Sequence, residues 1–200
     1  MKFYLDLIKL SSRIYSNSTQ ITQNTLVYCF AHNTSMLDPM ITSLARHHID
    51  KIHIIQNSKP VSGVETYEEV MKKYNQYGIV TAYIPFNHDI IQTKYEADAV
   101  IKYAIQEGYK RIVLVAPIFH ILRASMTMIS SAIELNADIK ISSIINTTSN
   151  WNELCSTHQG TTNASLDKTL ELDLERIPKY MDKGDIKTCK EIWEYLDKVN

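Results

Sequence analysis

Short runs of apolar residues alternate with longer amphipathic segments along most of the chain. Five runs have the length and β-branched content of strands, at 25–30, 51–55, 81–86, 111–116 and 139–145. Between them, apolar residues recur at helical spacing, at roughly 38–48, 65–77, 94–107 and 120–136. Strands that alternate with helices of this length indicate βαβ units and a parallel sheet with helices on both faces.

This pattern predicts a single α/β domain over 1–200, with three layers and a mostly parallel five-stranded sheet over about 25–145. Asp6 and Lys9 interrupt the apolar residues of the first segment, so 2–15 is predicted to be an amphipathic helix rather than a targeting segment. A polar stretch follows from 146, and 165–198 is predicted to be a helical tail.

The ends of the predicted helices carry their own signals. Asp38 precedes a proline, an order typical of an N-cap and the first helical residue. Thr93 and Glu96 have the spacing of a capping box. Gly78 and Gly108 fall where the second and third sheet-flanking helices are expected to end.

Composition narrows the class of protein. The net charge is −1, with 22% charged and 44% hydrophobic residues, so no basic surface points to a nucleic acid or an anionic membrane. The three cysteines have no metal-type spacing, and no apolar run reaches transmembrane length. The sequence predicts a cytoplasmic protein without a metal site, and it leaves the cofactor and the oligomeric state open, a homo-oligomer included.

Candidate chemistry lies in the loops after the first and fourth strands. His32, Asn33 and Asp38 belong to "AHNTSMLD", and His120 and Arg123 belong to "PIFHILR". In an open parallel sheet, ligands bind beyond the carboxyl ends of the strands where the strand order reverses. If the first and fourth strands are adjacent and parallel, both loops face one crevice.

His120 and Arg123 stand three residues apart at a helix start, where backbone N–H groups favour an anion. Arginine adds bidentate recognition of phosphate or carboxylate, and histidine can donate a hydrogen bond or act as a general acid or base. The alternative is structural: a histidine bonded to a neighbouring loop and an arginine paired with an acid at the edge of the core.

The segment from about 64 to 128 resembles the YdcF-like family, which includes the SanA and ElyC types. The resemblance depends on a Thr-x-x-Glu-Ala helix start, a Gly-aromatic-Lys stretch before an apolar strand, and a His-x-x-Arg-Ala turn after it. These motifs appear in order as Thr93, Glu96, Ala97, Gly108, Tyr109, Lys110, His120, Arg123 and Ala124.

The resemblance implies a Rossmann-like domain that binds a phosphorylated or nucleotide-like metabolite, such as S-adenosylmethionine, and that is a hydrolase, a transferase or a non-catalytic sensor. The candidate catalytic residues are His120, Glu96 and His32. The candidate ligand-binding residues are Arg123, Asn33, Asp38, Ser58, Lys59 and Thr93.

Two loops depart from the family pattern. "AHNTSMLD" stands in place of a Gly-Gly loop after the first strand, and "QNSKP" in place of Ser-Gly-Gly after the second. Ser58 is retained, and Lys59 offers a charge where the family offers backbone donors. Glu65 and Glu68 are both alternatives for the acid of the family's second helix. The ligand is therefore expected to be a polar or anionic small molecule that differs from the ligands of the family.

Overall fold

The computed structural model describes residues 2–16, 21–30, 37–56, 66–145, 150–155 and 164–199, with the side chains of 16, 37 and 38 excepted. Its centre is a five-stranded sheet in which every strand pair is parallel. The strands are β1 (Thr25–Cys29), β2 (Lys51–Gln56), β3 (Val80–Pro85), β4 (Arg111–Val115) and β5 (Lys140–Ile144), in the order β3-β2-β1-β4-β5.

Helices cover both faces of the sheet, which makes the three-layer α/β architecture that the sequence predicts. The helices are α1 (Lys2–Ser16), α2 (Leu37–Arg46), α3 (Tyr67–Gln76), α4 (Thr93–Gln106), α5 (Ile121–Glu134), α6 (Leu166–Asp182) and α7 (Cys189–Val199). Residues of α2 and α3 share one core layer with β1 and β2, whereas α1, α4, α5, α6 and α7 build the larger layer on the other face.

The predicted adjacency of the first and fourth strands is confirmed. β1 pairs with β4 in parallel over its whole length, from Thr25 opposite Arg111 to Cys29 opposite Val115. Both strands are buried runs, as expected for a sheet covered on two sides. The chain builds β1, β2 and β3 outward in one direction and then returns past β1 to β4, and this return creates the switch point between β1 and β4.

The glycine signals at the helix ends are confirmed. Gly78 follows α3 with φ at +74°, and Gly108 follows α4 with φ at +76°. A left-handed conformation at this position favours glycine because a Cβ would be strained there.

Both predicted N-caps are wrong. α2 begins at Leu37, which places the backbone of Asp38 inside the first turn rather than before it. The residue that precedes α4 is Gln92, and its side chain makes no capping bond, so Thr93 and Glu96 do not form a capping box. Their side chains turn instead toward other elements, described below. A capping box does exist at Thr66, whose hydroxyl accepts from the backbone of the third helical residue of α3.

The chain after β5 differs in detail from the single predicted tail. It contains a two-stranded antiparallel ribbon, β6 (Leu154–Cys155) with β7 (Ala164–Ser165), which the sequence pattern does not predict. The helical part is divided into α6 and α7, and Gly184 in the connection has a positive φ. Among the helices in the described ranges, none combines the length and the apolar character needed to cross a membrane.

Candidate functional site

A buried polar cluster lies beside the carboxyl ends of β1 and β4. His120 is the residue before α5, and Arg123 lies in the first turn of that helix. The tight turn after β4 is closed by Pro117, whose carbonyl accepts from the backbone N–H of His120 at 2.8 Å. The side chains of His120 and Arg123 are only 13% and 7% exposed, so the turn directs both into the protein.

Arg123 contacts side chains on both α4 and α6. Its Nε donates to Oδ1 of Asp173 on α6 at 2.9 Å, and its Nη2 lies 2.8 Å from the same oxygen. Its Nη1 donates to the hydroxyl of Thr93 at the start of α4, at 3.1 Å. The ring of Tyr180 lies 5.3 Å from the guanidinium carbon. The arginine therefore connects α4, α5 and α6 while its charge is balanced by one carboxylate.

His120 contacts a donor and an acceptor through the same ring nitrogen. Its Nδ1 lies 3.1 Å from Nη2 of Arg123 and 3.6 Å from Oδ2 of Asp173. Because a guanidinium can only donate and a carboxylate can only accept, the contact with Arg123 favours an accepting Nδ1 with the ring proton on Nε2, whereas the longer contact with Asp173 favours a protonated Nδ1. Burial and the Arg123 charge lower the pKa of His120, against the opposing effect of Asp173. The ring also meets Phe30 edge-on, with centroids 5.5 Å apart.

Asp173 is the charged acid of the cluster. Its residue is 3% exposed, and burial alone would raise the pKa of its carboxyl. The contacts with His120 and Arg123 outweigh burial and lower this pKa to about 2. Arg176, one turn further along α6, lies 3.8 Å from the same carboxylate. Asp173 therefore stays ionised at every pH at which the protein is expected to work.

Glu96 is the second acid, and its environment has the opposite effect. The residue is 4% exposed, and its Oε2 accepts a hydrogen bond from the hydroxyl of Tyr28 on β1 at 2.9 Å. Burial raises the pKa of Glu96 to about 7, although Tyr28 and the Arg123 charge both lower it. Phe30 packs on Tyr28 as well as on His120, with a centroid distance of 4.8 Å to Tyr28, and so joins the two parts of the cluster.

The two acids of the cluster have different pKa values, so they differ in protonation at neutral pH. Asp173 remains a carboxylate and fixes the guanidinium and the imidazole, whereas Glu96 changes protonation near neutral pH. A carboxyl with a pKa near the working pH can both donate and accept a proton. The site thus combines a carboxyl whose pKa is near 7, a histidine whose pKa is lowered and an arginine that is bonded on several sides.

The structure brings together four of the predicted site residues: Thr93, Glu96, His120 and Arg123. His32, Asn33, Ser58 and Lys59 lie outside the described residues, as does the side chain of Asp38. Whether His32 and His120 open into one cleft therefore stays a prediction.

Sequence reasoning missed two members of the cluster, Tyr28 and Asp173. Tyr28 stands in an apolar strand and gives no sign that its hydroxyl meets an acid. Asp173 could have been found from the sequence, because its spacing puts it on the buried face of α6. The other buried residues of this helix are Leu166, Thr169 and Ile177. An acid at such a position indicates a buried partner of opposite charge. The ion pair that it forms with Arg123 is the arrangement expected from the structural alternative for this arginine.

Within the part of the chain that the structure describes, no three histidine, cysteine, aspartate or glutamate side chains are grouped as metal ligands. No protein-family model matches the chain, and no curated protein matches it. The likeness to the YdcF-like family thus rests on the ordered motifs alone.

Proposed function

We propose that this protein is a cytoplasmic, YdcF-like domain that binds a phosphorylated or nucleotide-like metabolite beside the carboxyl ends of β1 and β4, and that it acts on this ligand as a hydrolase or a transferase. The observation that carries the proposal is the buried Glu96, whose pKa is raised to about 7 and which Tyr28 and Phe30 connect to His120. A strongly shifted acid at the switch point of a parallel sheet is characteristic of functional sites.

In this proposal, Glu96 is the general acid or base, because its pKa is close to the working pH. His120 presents its Nε2 proton to a ligand oxygen. Arg123 orients His120 and supplies positive potential at the start of α5, where the helix dipole also favours an anion. The protonated form of Glu96 leaves Arg123 and Asp173 as a neutral pair, so we expect an anionic ligand to bind better below pH 7 than above it.

One observation favours a second candidate, a sensor that binds without turnover. Arg123 is bonded to Asp173, Thr93 and His120, so a ligand phosphate would share a guanidinium that is already paired. Such an arrangement suits a rigid binding pocket whose ligand makes its main contacts elsewhere. Free thiols at Cys29, Cys155 and Cys189 support the proposed reducing, cytoplasmic location for either candidate.

The experiment uses a panel of nucleoside phosphates, sugar phosphates and S-adenosylmethionine. Calorimetry measures binding, and product release measures turnover. We expect one class to bind, and we expect Glu96→Gln and His120→Gln to lower turnover by about 10²- to 10⁴-fold while the dissociation constant changes by less than about tenfold. Glu134→Gln is the matched control, because Glu134 is a partly exposed glutamate on the same helix as Arg123.

Binding of a panel member without turnover would identify the sensor instead. If no member of the panel binds to the wild type, the proposal of a phosphorylated or nucleotide-like ligand is wrong. Equal losses of turnover in Glu134→Gln and Glu96→Gln would show that the buried acid has no special role.

A further inference from the structure

The strand β3 forms one edge of the five-stranded sheet and carries exposed apolar side chains. Val80 and Tyr83 on the strand are 58% and 52% exposed, and Tyr77, which lies between α3 and the strand, is 59% exposed. Single exposed apolar side chains are ordinary, but a group of them around one edge strand indicates an interaction surface.

The backbone of β3 shows what such a surface could bind. The N–H of Val80 donates to the carbonyl of Asp50 at 2.7 Å, so Val80 points its backbone groups toward β2. Because backbone direction alternates along a strand, the N–H and C=O groups of Thr81 and Tyr83 point away from β2. Pro85 points the same way and has no N–H, which is the usual place for a proline in a sheet. An edge of this kind is a template for another strand.

We propose that β3 pairs with β3 of a second copy of this chain in antiparallel orientation, which joins the two five-stranded sheets. The twofold axis passes through Ala82. Thr81 of each copy then faces Tyr83 of the other, and each such pair exchanges both of its backbone hydrogen bonds. Ala82 meets its own copy at the closely spaced position, where a small side chain fits. The ladder ends before Pro85, so the missing N–H costs nothing.

The charges on α3 fit the same arrangement. This helix packs beside β3, where Tyr67 meets Tyr83 with ring centroids 6.0 Å apart. Its first turn carries Glu68 and Glu69, and its second half carries two lysines in succession. A twofold axis that makes the strands antiparallel makes the two α3 helices antiparallel as well. The acidic half of each helix then faces the basic half of the other, whereas a partner with charge of a single sign would be repelled by one half.

The test measures the mass of the full-length protein in solution by sedimentation equilibrium. We expect the wild type to have twice the 23.0 kDa chain mass. Ala82→Lys and Ala82→Glu each place two like charges directly opposite each other, and we expect each to weaken dimerisation by at least about tenfold. An equimolar mixture of the two variants should restore the dimer, because opposite charges then meet at the axis.

Thr81→Pro is a second, independent variant, because the backbone N–H that it removes points outward and not toward β2, and it should also weaken the dimer. Ile8→Lys is the matched control: Ile8 is 65% exposed on α1, which packs beside β5 at the far edge of the sheet, and its substitution should leave the dimer intact. Circular dichroism establishes that each variant is folded. A monomeric wild type overturns the proposal. So does a dimer that survives both Ala82→Lys and Thr81→Pro, or a lysine–glutamate mixture that stays monomeric.

Discussion

Two charged clusters connect α4 to α5, and they differ mainly in burial. In the first, Arg123 and Asp173 form a pair whose side chains are 7% and 4% exposed, with Glu96 nearby. In the second, Lys94 lies 2.7 Å from Glu134 and 2.6 Å from Asp98, and the side chains of these two acids are 32% and 27% exposed. Lys94 and Glu96 stand two residues apart on α4, yet they belong to different clusters.

The pKa shifts in the two clusters show what burial changes. Around Lys94, salt bridges outweigh partial burial, so the pKa of Lys94 rises and that of Glu134 falls, and both shifts favour the charged forms. Inside the protein, burial outweighs the hydrogen bond from Tyr28, and the pKa of Glu96 rises toward its neutral form. In these two clusters, burial decides whether the pKa of an acid shifts toward its neutral or its charged form.

The largest expected effect comes from removal of Asp173. Asp173→Ala leaves the guanidinium of Arg123 buried without its counter-charge, and breaking a buried pair in this way costs about 3–5 kcal/mol of the free energy of unfolding. Chemical denaturation measures the change. Glu171→Ala is the control on the same helix, because Glu171 pairs with Lys168 at the surface with a side chain that is 63% exposed, and it should cost far less than Asp173→Ala.

The double variant Arg123→Met/Asp173→Leu sharpens this prediction. It removes both charges and retains apolar volume, so it should be more stable than Asp173→Ala alone. If Asp173→Ala costs no more than Glu171→Ala, the two clusters do not differ in the way that their burial indicates.

The second effect is a dependence of stability on pH. The pKa of Glu96 is about 7 in the folded protein, above its ordinary value of 4.5. The folded state therefore holds the proton more tightly, and the contribution of Glu96 to stability is present below pH 4.5 and is lost as the pH rises to about 7. The free energy of unfolding of the wild type minus that of Glu96→Gln should fall by about 3 kcal/mol across this range.

Glu134 provides the comparison of opposite sign. Its pKa is lowered by Lys187 and Lys94, which outweigh its partial burial, so its contribution is present above its ordinary pKa and is lost as the pH falls below it. The difference between the wild type and Glu134→Gln should be flat from pH 5 upward. Denaturation of both variants at a series of pH values gives the two profiles, and a flat profile for Glu96 would contradict its raised pKa.

The sequence predicted the fold well because the signals for it are local. Apolar runs and helical spacing located the five strands to within a residue or two at each end. Gly78 and Gly108 located two helix ends, because only a left-handed residue was needed there. The position of β4 beside β1 followed from the general handedness of parallel connections rather than from any single residue.

The candidate site was less predictable because its contacts cross the sequence. Thr93 and Glu96 have the spacing of a capping box, and the same spacing also suits two side chains that turn toward the core. Asp173 stands 50 residues from Arg123, in a segment whose many charges suggest a solvated surface. Only the packing of α6 against α5 selects this acid from its exposed neighbours.

The smallest expected effect concerns the second cluster, around Lys94. Glu134 accepts from Lys94 at 2.7 Å and lies 2.9 Å from Lys187, so Glu134→Gln removes two partly exposed ion pairs. Such pairs gain little over hydration, and we expect a loss of at most about 1 kcal/mol in the free energy of unfolding at low salt. In about 1 M NaCl the loss should shrink further, because screening acts on charges that are open to solvent. The cost of Asp173→Ala should change little with salt, because its charges are buried. Denaturation at the two salt concentrations measures both losses. If Glu134→Gln lowers the free energy of unfolding as much as Asp173→Ala does, and if salt does not reduce this loss, burial does not distinguish the two clusters.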